Sequence, residues 1–262
     1  MAFAKSADGT KIACYRGGAG PVLIVVNGAL SDHTSTDLLR HWLEPHFTLV
    51  GYDRRGRTNS GDTKPYALER EIEDLAAVIH AHGQEAMVYG HSAGAVLSLE
   101  AAMRGLPISR LAVNEPPYIL PGTRPLPPPE LAGQVTLLAA MNEAEAIADL
   151  FLRDELGLPA SDIAWLKRQR TWPALVKLAP SVQYDLLLLG RHELPTTRLA
   201  GIHIPTMVLS GSASYGWIAT SAKVVAEMIP RAEHRVLHDQ GHNPMPHILA
   251  RALLRFFGDK AT

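Results

Sequence analysis

The sequence predicts an α/β fold, a mostly parallel sheet with helices on both faces and an all-helical insertion. Three observations predict it. Short apolar, β-branched runs alternate with helix-like patterns, as strands buried on both faces do when helices connect them. The alternation stops from about 119 to 200 and resumes at Pro205. Of the 262 residues, 47% are apolar, enough for one sizeable core.

The strands follow in order. "KIACYRG" (11–17) follows the turn "ADGT". "PVLIVVNG" (21–28) is a continuous apolar run that ends in glycine. "FTLVGYD" (47–53), "AMVYG" (86–90), "SRLAVNE" (109–115) and "PTMVLSG" (205–211) repeat that pattern, and "HRVLHDQG" (234–241) reads as the last strand. Helical patterns occupy about 36–44, 66–82, 94–104, 217–229 and 245–257. In such a sheet, chemistry gathers at the carboxyl ends of the strands.

The insertion opens with "LPGTRPLPPPE", a stiff extended connector. Helical patterns follow in "ELAGQVTLLAAM", "EAEAIADLFLRDELG", "ASDIAWLKRQR" and, with a proline break, "PALVKLAPSVQYDLLLLG". The expected organisation is a core of 1–118 and 201–262 with a helical cap of 119–200 over its active edge. A second helical domain with an unrelated task is the alternative. The sheet pattern resuming at Pro205 favours the cap.

Several classes are disfavoured. The net charge is −1 and no long basic run occurs, so no nucleic-acid footprint is present. The single cysteine, Cys14, forms no internal disulfide, which fits a reducing compartment. "MAFAKSADGT" lacks the apolar core of a signal peptide, and no run of about 18 apolar residues occurs. A cytoplasmic protein without a membrane span is expected. His238 and His242 are four apart, but Gly241 and the loop context argue against one helical face. No H-E-x-x-H or C-x-x-C occurs, so neither a metal nor a cofactor is expected.

The chemistry-bearing stretch is "VYGHSAGAV" (88–96). Gly90-His91-Ser92-Ala93-Gly94 matches G-x-S-x-G between a strand and a helix. The turn is so sharp that the serine backbone is strained, and glycines two before and two after it avoid clashes. Ser92 is the candidate nucleophile, and the Ala93 N–H at the helix N-terminus is one oxyanion donor. A glycine-rich turn with a serine cap is the plain alternative. A second donor is expected from "VVNGALSDH" (25–33), where Gly28 turns the chain and leaves the Ala29 N–H available.

Ser92 needs a general base, and twelve histidines compete. His242, in "HDQGHNPMPH", follows the last strand and precedes the last helix, at the edge where Ser92 should lie. His91 is too near Ser92 in the chain to reach back to its hydroxyl. His238 reads as structural, and His33 could touch substrate.

These stretches, with "YDRRGRTNSGD" (52–62), "NEPPY" (114–118) and "GH" (241–242), resemble the α/β-hydrolase superfamily, in particular its capped bacterial members. The resemblance covers nearly the whole chain. It implies an eight-stranded sheet, Ser92 as nucleophile, His242 as base, and Ala93 with Ala29 as the oxyanion hole. A serine nucleophile departs from the epoxide-hydrolase and haloalkane-dehalogenase branches, which attack with a carboxylate. Asn27 stands where many members have histidine before the glycine.

The larger departure is the acid. The family usually places an Asp after the strand "PTMVLSG", but this chain continues "SASYGW", with Ser212 and Ser214. The superfamily includes members whose acid follows the preceding strand, which makes Glu115 the candidate. A surface carboxylate, or a partner for Arg54 or Arg55, is its alternative role. Asp239 is the second candidate, and Asp53 is expected to anchor its own loop. Ser212 and Ser214 are then expected to cap the helix that follows.

The expected activity is acyl transfer through Ser92 to water, on an ester, lactone or thioester. The partner is a small acyl substrate, which a thioester could carry. An acyltransferase with an acceptor other than water uses the same residues. A non-catalytic binding protein on the same fold is the reading from another class. Leu138, Met141, Phe151, Trp165, Trp172 and Tyr184 are candidates for the pocket lining, each with plain helix packing as its alternative.

Overall fold

The computed structural model describes residues 1–258. Eight strands are present: β1 (Ala2–Lys5), β2 (Lys11–Gly17), β3 (Val22–Val26), β4 (Thr48–Tyr52), β5 (Ala86–His91), β6 (Ile108–Asn114), β7 (Thr206–Gly211) and β8 (Ala232–Leu237). They form one sheet in the order β1-β2-β4-β3-β5-β6-β7-β8. The pairs β1–β2 and β2–β4 are antiparallel, and every other pair is parallel.

Helices α1 (Thr34–Leu43), α2 (Leu68–His82) and α3 (Ala93–Met103) precede β6. Between β6 and β7 run α4 (Leu131–Ala140), α5 (Ala144–Leu150), α6 (Ala160–Leu166), α7 (Trp172–Leu178), α8 (Val182–Leu189) and α9 (Thr196–Leu199). A π-helical turn (Phe151–Glu155) extends α5, and a 3₁₀ turn (Ala179–Ser181) holds the proline break before α8. Helices α10 (Gly216–Met228) and α11 (Pro246–Gly258) flank β8. Among the described residues, no helix is long and apolar enough to cross a membrane.

The period-2 alternation of each strand sorts its side chains onto two faces. Ile24, Val88, Val113 and Val208 meet Leu75 of α2, Leu97 of α3 and Val225 of α10 on one face. Leu23, Leu49, Tyr89 and Leu209 meet Leu39 of α1 with Leu249 and Leu253 of α11 on the other. Helix α3 is buried from Ala93 to Ala101, as expected of a helix that is apolar all round.

The segment between β6 and β7 has its own apolar cluster, built on Leu131, Val135, Ile147, Phe151, Val182 and Leu186. Ala29 and Leu30, just past the carboxyl end of β3, pack against it. Buried charges add a second attachment. Arg54 forks onto Glu71 of α2 (2.6 and 2.7 Å) and reaches Asp185 of α8 (2.6 Å). Arg55 is held by Asp74 and Asp8. These partners rule out Arg54 and Arg55 as the destination of the Glu115 carboxylate.

Two local expectations are corrected, and one strand is added. β1 had no sequence reading, because only Ala4 of its four residues is buried. The last strand ends at Leu237, not at 241, because the Leu237 carbonyl takes both Ser212 N–H (3.0 Å) and Gln240 N–H (3.4 Å), and Asp239 turns at φ +56°. Ser212 and Ser214 do not cap α10, which begins after Tyr215 with no side-chain cap. The Ser212 hydroxyl instead accepts from Asp239 N–H at 2.8 Å.

Candidate active site

Ser92 joins β5 to α3 with φ +53° and ψ −121°. An L-residue held there costs about 1–3 kcal/mol, and such strain clusters at functional sites. The surroundings enforce it. Ser92 N–H donates to Asn114 O (2.9 Å), and its own carbonyl accepts the first helical bonds from Ala95 and Val96. Gly94 lets α3 sit against β3, since a Cβ there would lie 2.1 Å from Val26 O. Gly28 lets the β3–α1 loop touch the turn, since a Cβ there would lie 3.1 Å from the Ser92 Cβ. Among the described residues, no acceptor takes the N–H of Ala29 or Ala93.

Glu115 follows β6 directly, is fully buried, and has φ +48°. Its Oε1 accepts Gly211 N–H at the end of β7 (2.8 Å), and its Oε2 lies 2.6 Å from His242 Nδ1. Burial alone would raise this carboxyl. The His242 contact, the Gly211 N–H and the Ser214 hydroxyl outweigh it, and the net shift is downward. Among the described residues the buried Ser214 hydroxyl has no partner other than this carboxylate. The loop that lacks the usual Asp thus supports a carboxylate from the neighbouring strand.

Asn114, which the sequence reading did not single out, fixes the histidines. Its Nδ2 donates to His242 O (3.2 Å) and to His91 Nδ1 (3.1 Å). The His91 ring lies 4.8 Å from that of His242. Burial, and then the neighbouring His242, push the His91 imidazole down to about 3, so it stays neutral and adds no charge against a protonated His242. The only sequence signal for Asn114 is its place at the end of β6, beside Glu115.

The other candidates lie as follows. Asp239 is exposed, and among the described residues its one hydrogen bond runs from its N–H to the Ser212 hydroxyl. His238 is an exposed turn residue beyond β8. His33 stacks on Tyr15 (3.6 Å) and puts Nδ1 on Asp53 Oδ1 (2.8 Å). Asp53 also receives His33 N–H, Asn59 N–H and the Tyr15 hydroxyl, which ties its own loop together.

Asp32, His33 and Asp53 bring possible metal-ligating atoms within 4.8 Å of one another. Their oxygens already accept from Thr34, Thr58, Asn59, Tyr15 and His33, so the cluster acts as loop scaffold.

Of the expected lining residues, Met141 (59% exposed) and Trp165 (55%) are largely in solvent, and Phe151 is in the core of its own segment. Leu138 and Trp172 pack on the edge of that core. Tyr184 is a correction. Its ring stacks on Tyr66 (4.2 Å) and its hydroxyl is shared with Asp62 and Lys64, which commits it to docking α8.

The family model described as "Alpha/beta hydrolase family" matches residues 23–255. The chain belongs to the α/β-hydrolase family. As a member it is a hydrolase. This α/β hydrolase is similar to an alpha/beta hydrolase from Sphaerobacter thermophilus DSM 20745, at 44% identity and TM-score 0.94, over 97% of this chain and 99% of that one. It has the fold of an enol-lactonase from Burkholderia xenovorans LB400, at 18% identity and TM-score 0.76, over 98% and 100% of the two chains. A curated relative, the uncharacterized hydrolase YraK of Bacillus subtilis (strain 168), is 30% identical over 91 residues, which are 33% of this chain. The matched region spans only about a third (34%) of that relative's length.

Proposed function

We propose that the protein hydrolyses a carboxylic ester, lactone or thioester through an acyl-enzyme on Ser92. His242 is the base. Its Nδ1 is committed to Glu115, which leaves Nε2 to take the Ser92 proton as Oγ attacks the carbonyl carbon. Glu115 holds that tautomer and stabilises the imidazolium. The free N–H groups of Ala93 and Ala29 receive the oxyanion. Nε2 then returns the proton to the leaving group. Water attacks the acyl-enzyme by the same route in reverse order, with the acid released and Ser92 restored. The strained φ of Ser92 at the end of β5, together with a histidine held 2.6 Å from a buried carboxylate at the end of the neighbouring β6, is the observation that carries this reading.

The segment 119–200 acts as the cap. Its contact with Ala29 and Leu30 favours this role over that of an independent domain. The acyl group enters between cap and sheet edge, and no metal or organic cofactor takes part.

The test is rapid-mixing hydrolysis of p-nitrophenyl acetate. A nitrophenolate burst of about one equivalent, absent in Ser92→Ala, supports the acyl-enzyme. Turnover by Ser92→Ala at the native rate would overturn it.

A further inference from the structure

The guanidinium of Arg57 is only 1% exposed, and the catalytic scheme above gives it no role. Its contacts point in two directions. Nη1 donates to Gly28 O (2.5 Å) and Ser31 O (2.9 Å), spanning the turn that contains Ala29. Nη2 donates to both carboxylate oxygens of Asp185 on α8 (2.9 and 2.7 Å). Asp185 is itself completely buried and also holds Arg54.

The Gly28 carbonyl and the Ala29 N–H belong to one planar peptide unit. That unit is trans, and in a trans peptide the C=O and N–H point in opposite directions. A donor fixed on Gly28 O therefore fixes the direction of the Ala29 N–H. The turn needs such a hold. Gly28 is pressed against Ser92, and Leu30 sits at φ +53°, a conformation that persists only where its surroundings impose it. A charged donor on the carbonyl also polarises the peptide and strengthens its N–H as a donor.

We infer that Arg57 is a positioning residue for the oxyanion hole, aiming the Ala29 N–H at Ser92, and that Asp185 makes this aim depend on the docked helical segment. The inference rests on the acyl-enzyme reading above. Removing α8 from the core would release Arg57 and let the Gly28–Ala29 peptide turn, so the hole forms only under a seated segment.

The test uses the charge-balanced double variant Arg57→Met/Asp185→Asn, which leaves Arg54 paired with Glu71. The control is Arg55→Met/Asp74→Asn, a buried bidentate pair that does not touch the Gly28 turn. Both are measured for Tm, for kcat and KM on p-nitrophenyl acetate, and for inhibition by a trifluoromethyl ketone, whose hemiketal oxyanion occupies the hole. Full loss of one oxyanion donor costs on the order of 10²–10³ in rate. A misaimed donor should cost about 10–10², in kcat rather than KM, with the inhibitor weakened by the same factor. The control should lose comparable stability and keep kcat and inhibitor affinity within about two-fold, taking that margin as far below a lost donor.

Arg57→Lys, a point charge that cannot fork, should fall between wild type and the double variant, and it serves if the double variant does not fold. A native kcat in either folded Arg57 variant would overturn the inference, and so would an equal kcat loss in the control. Failure of the acyl-enzyme reading shows separately, as turnover by Ser92→Ala at the native rate.

Discussion

Glu115→Gln isolates the feature in which this chain departs from its family's usual pattern. The carboxylate serves two partners that demand different things. Gly211 N–H requires an acceptor on one oxygen, and His242 Nδ1–H requires an acceptor on the other, at 2.8 and 2.6 Å. An amide has one acceptor and one donor, so it cannot satisfy both. If its oxygen stays on Gly211, its NH₂ faces Nδ1 and forces the proton to Nε2, the tautomer that cannot accept from Ser92. If it flips, NH₂ meets N–H at the end of β7. The equivalent change in a serine-protease triad lowers kcat by about 10⁴, which is about 5 kcal/mol of barrier. The cost in stability should be about 1–3 kcal/mol for one unsatisfied buried donor, so the variant remains folded. Steady-state hydrolysis of p-nitrophenyl acetate, alongside Tm, reads both. A folded Glu115→Gln protein with kcat within ten-fold of wild type would refute the reasoning, because ten-fold is far below the 10⁴ of a forced tautomer.

Other expectations follow from the same contacts. Asp239→Asn should leave kcat within about three-fold, since its carboxylate holds no active-site group and Asn tolerates its positive φ; a loss approaching that of Glu115→Gln would reopen the assignment of the acid. Gly94→Ala puts a Cβ 2.1 Å from Val26 O and forces α3 away from β3, so calorimetry should show a loss of about 3 kcal/mol, or about 10 °C in Tm; an unchanged Tm would mean that the turn is looser than described. The buried carboxyls of Glu71, Glu100 and Glu115 are raised by burial but lowered further by Arg54, Arg198 and His242 respectively, to net values below their ordinary 4.5. A depressed folded pKa gives stability that is present above the unfolded value and lost as pH falls through the folded one. Tm should therefore hold steady down to about pH 5 and fall below pH 4, and a Tm that rose between pH 5 and 3 would contradict these directions.

What the sequence revealed and what it hid follow from how far each signal reaches. β3, β5 and β7 were legible because strands buried on both faces are continuous apolar runs. The Ser92 turn was legible because its glycines are required within five residues. β1 was not, since an edge strand that buries only Ala4 has no pattern to read. Glu115 could be proposed because it ends a strand, but its partners Gly211 and His242 lie 96 and 127 residues away. Arg57 and Asp185 are 128 apart and meet only through the docking of α8, so neither carried a local signal of its use. Asn114 was hidden for a different reason. A polar residue at a strand end has many possible uses, and only the placement of two histidine-bearing turns against it selects one. Ser212 and Ser214 were misread as caps, because the same hydroxyls can hold a neighbouring loop or face a carboxylate.

The most direct measurement of the central claim is intact-mass spectrometry of the protein after brief exposure to a fluorophosphonate, with peptide mapping of any adduct. The account predicts one phosphonyl group per chain, located on Ser92, formed slowly by Glu115→Gln and not at all by Ser92→Ala. A wild-type protein that stays unmodified, or one modified at a residue other than Ser92, would contradict it.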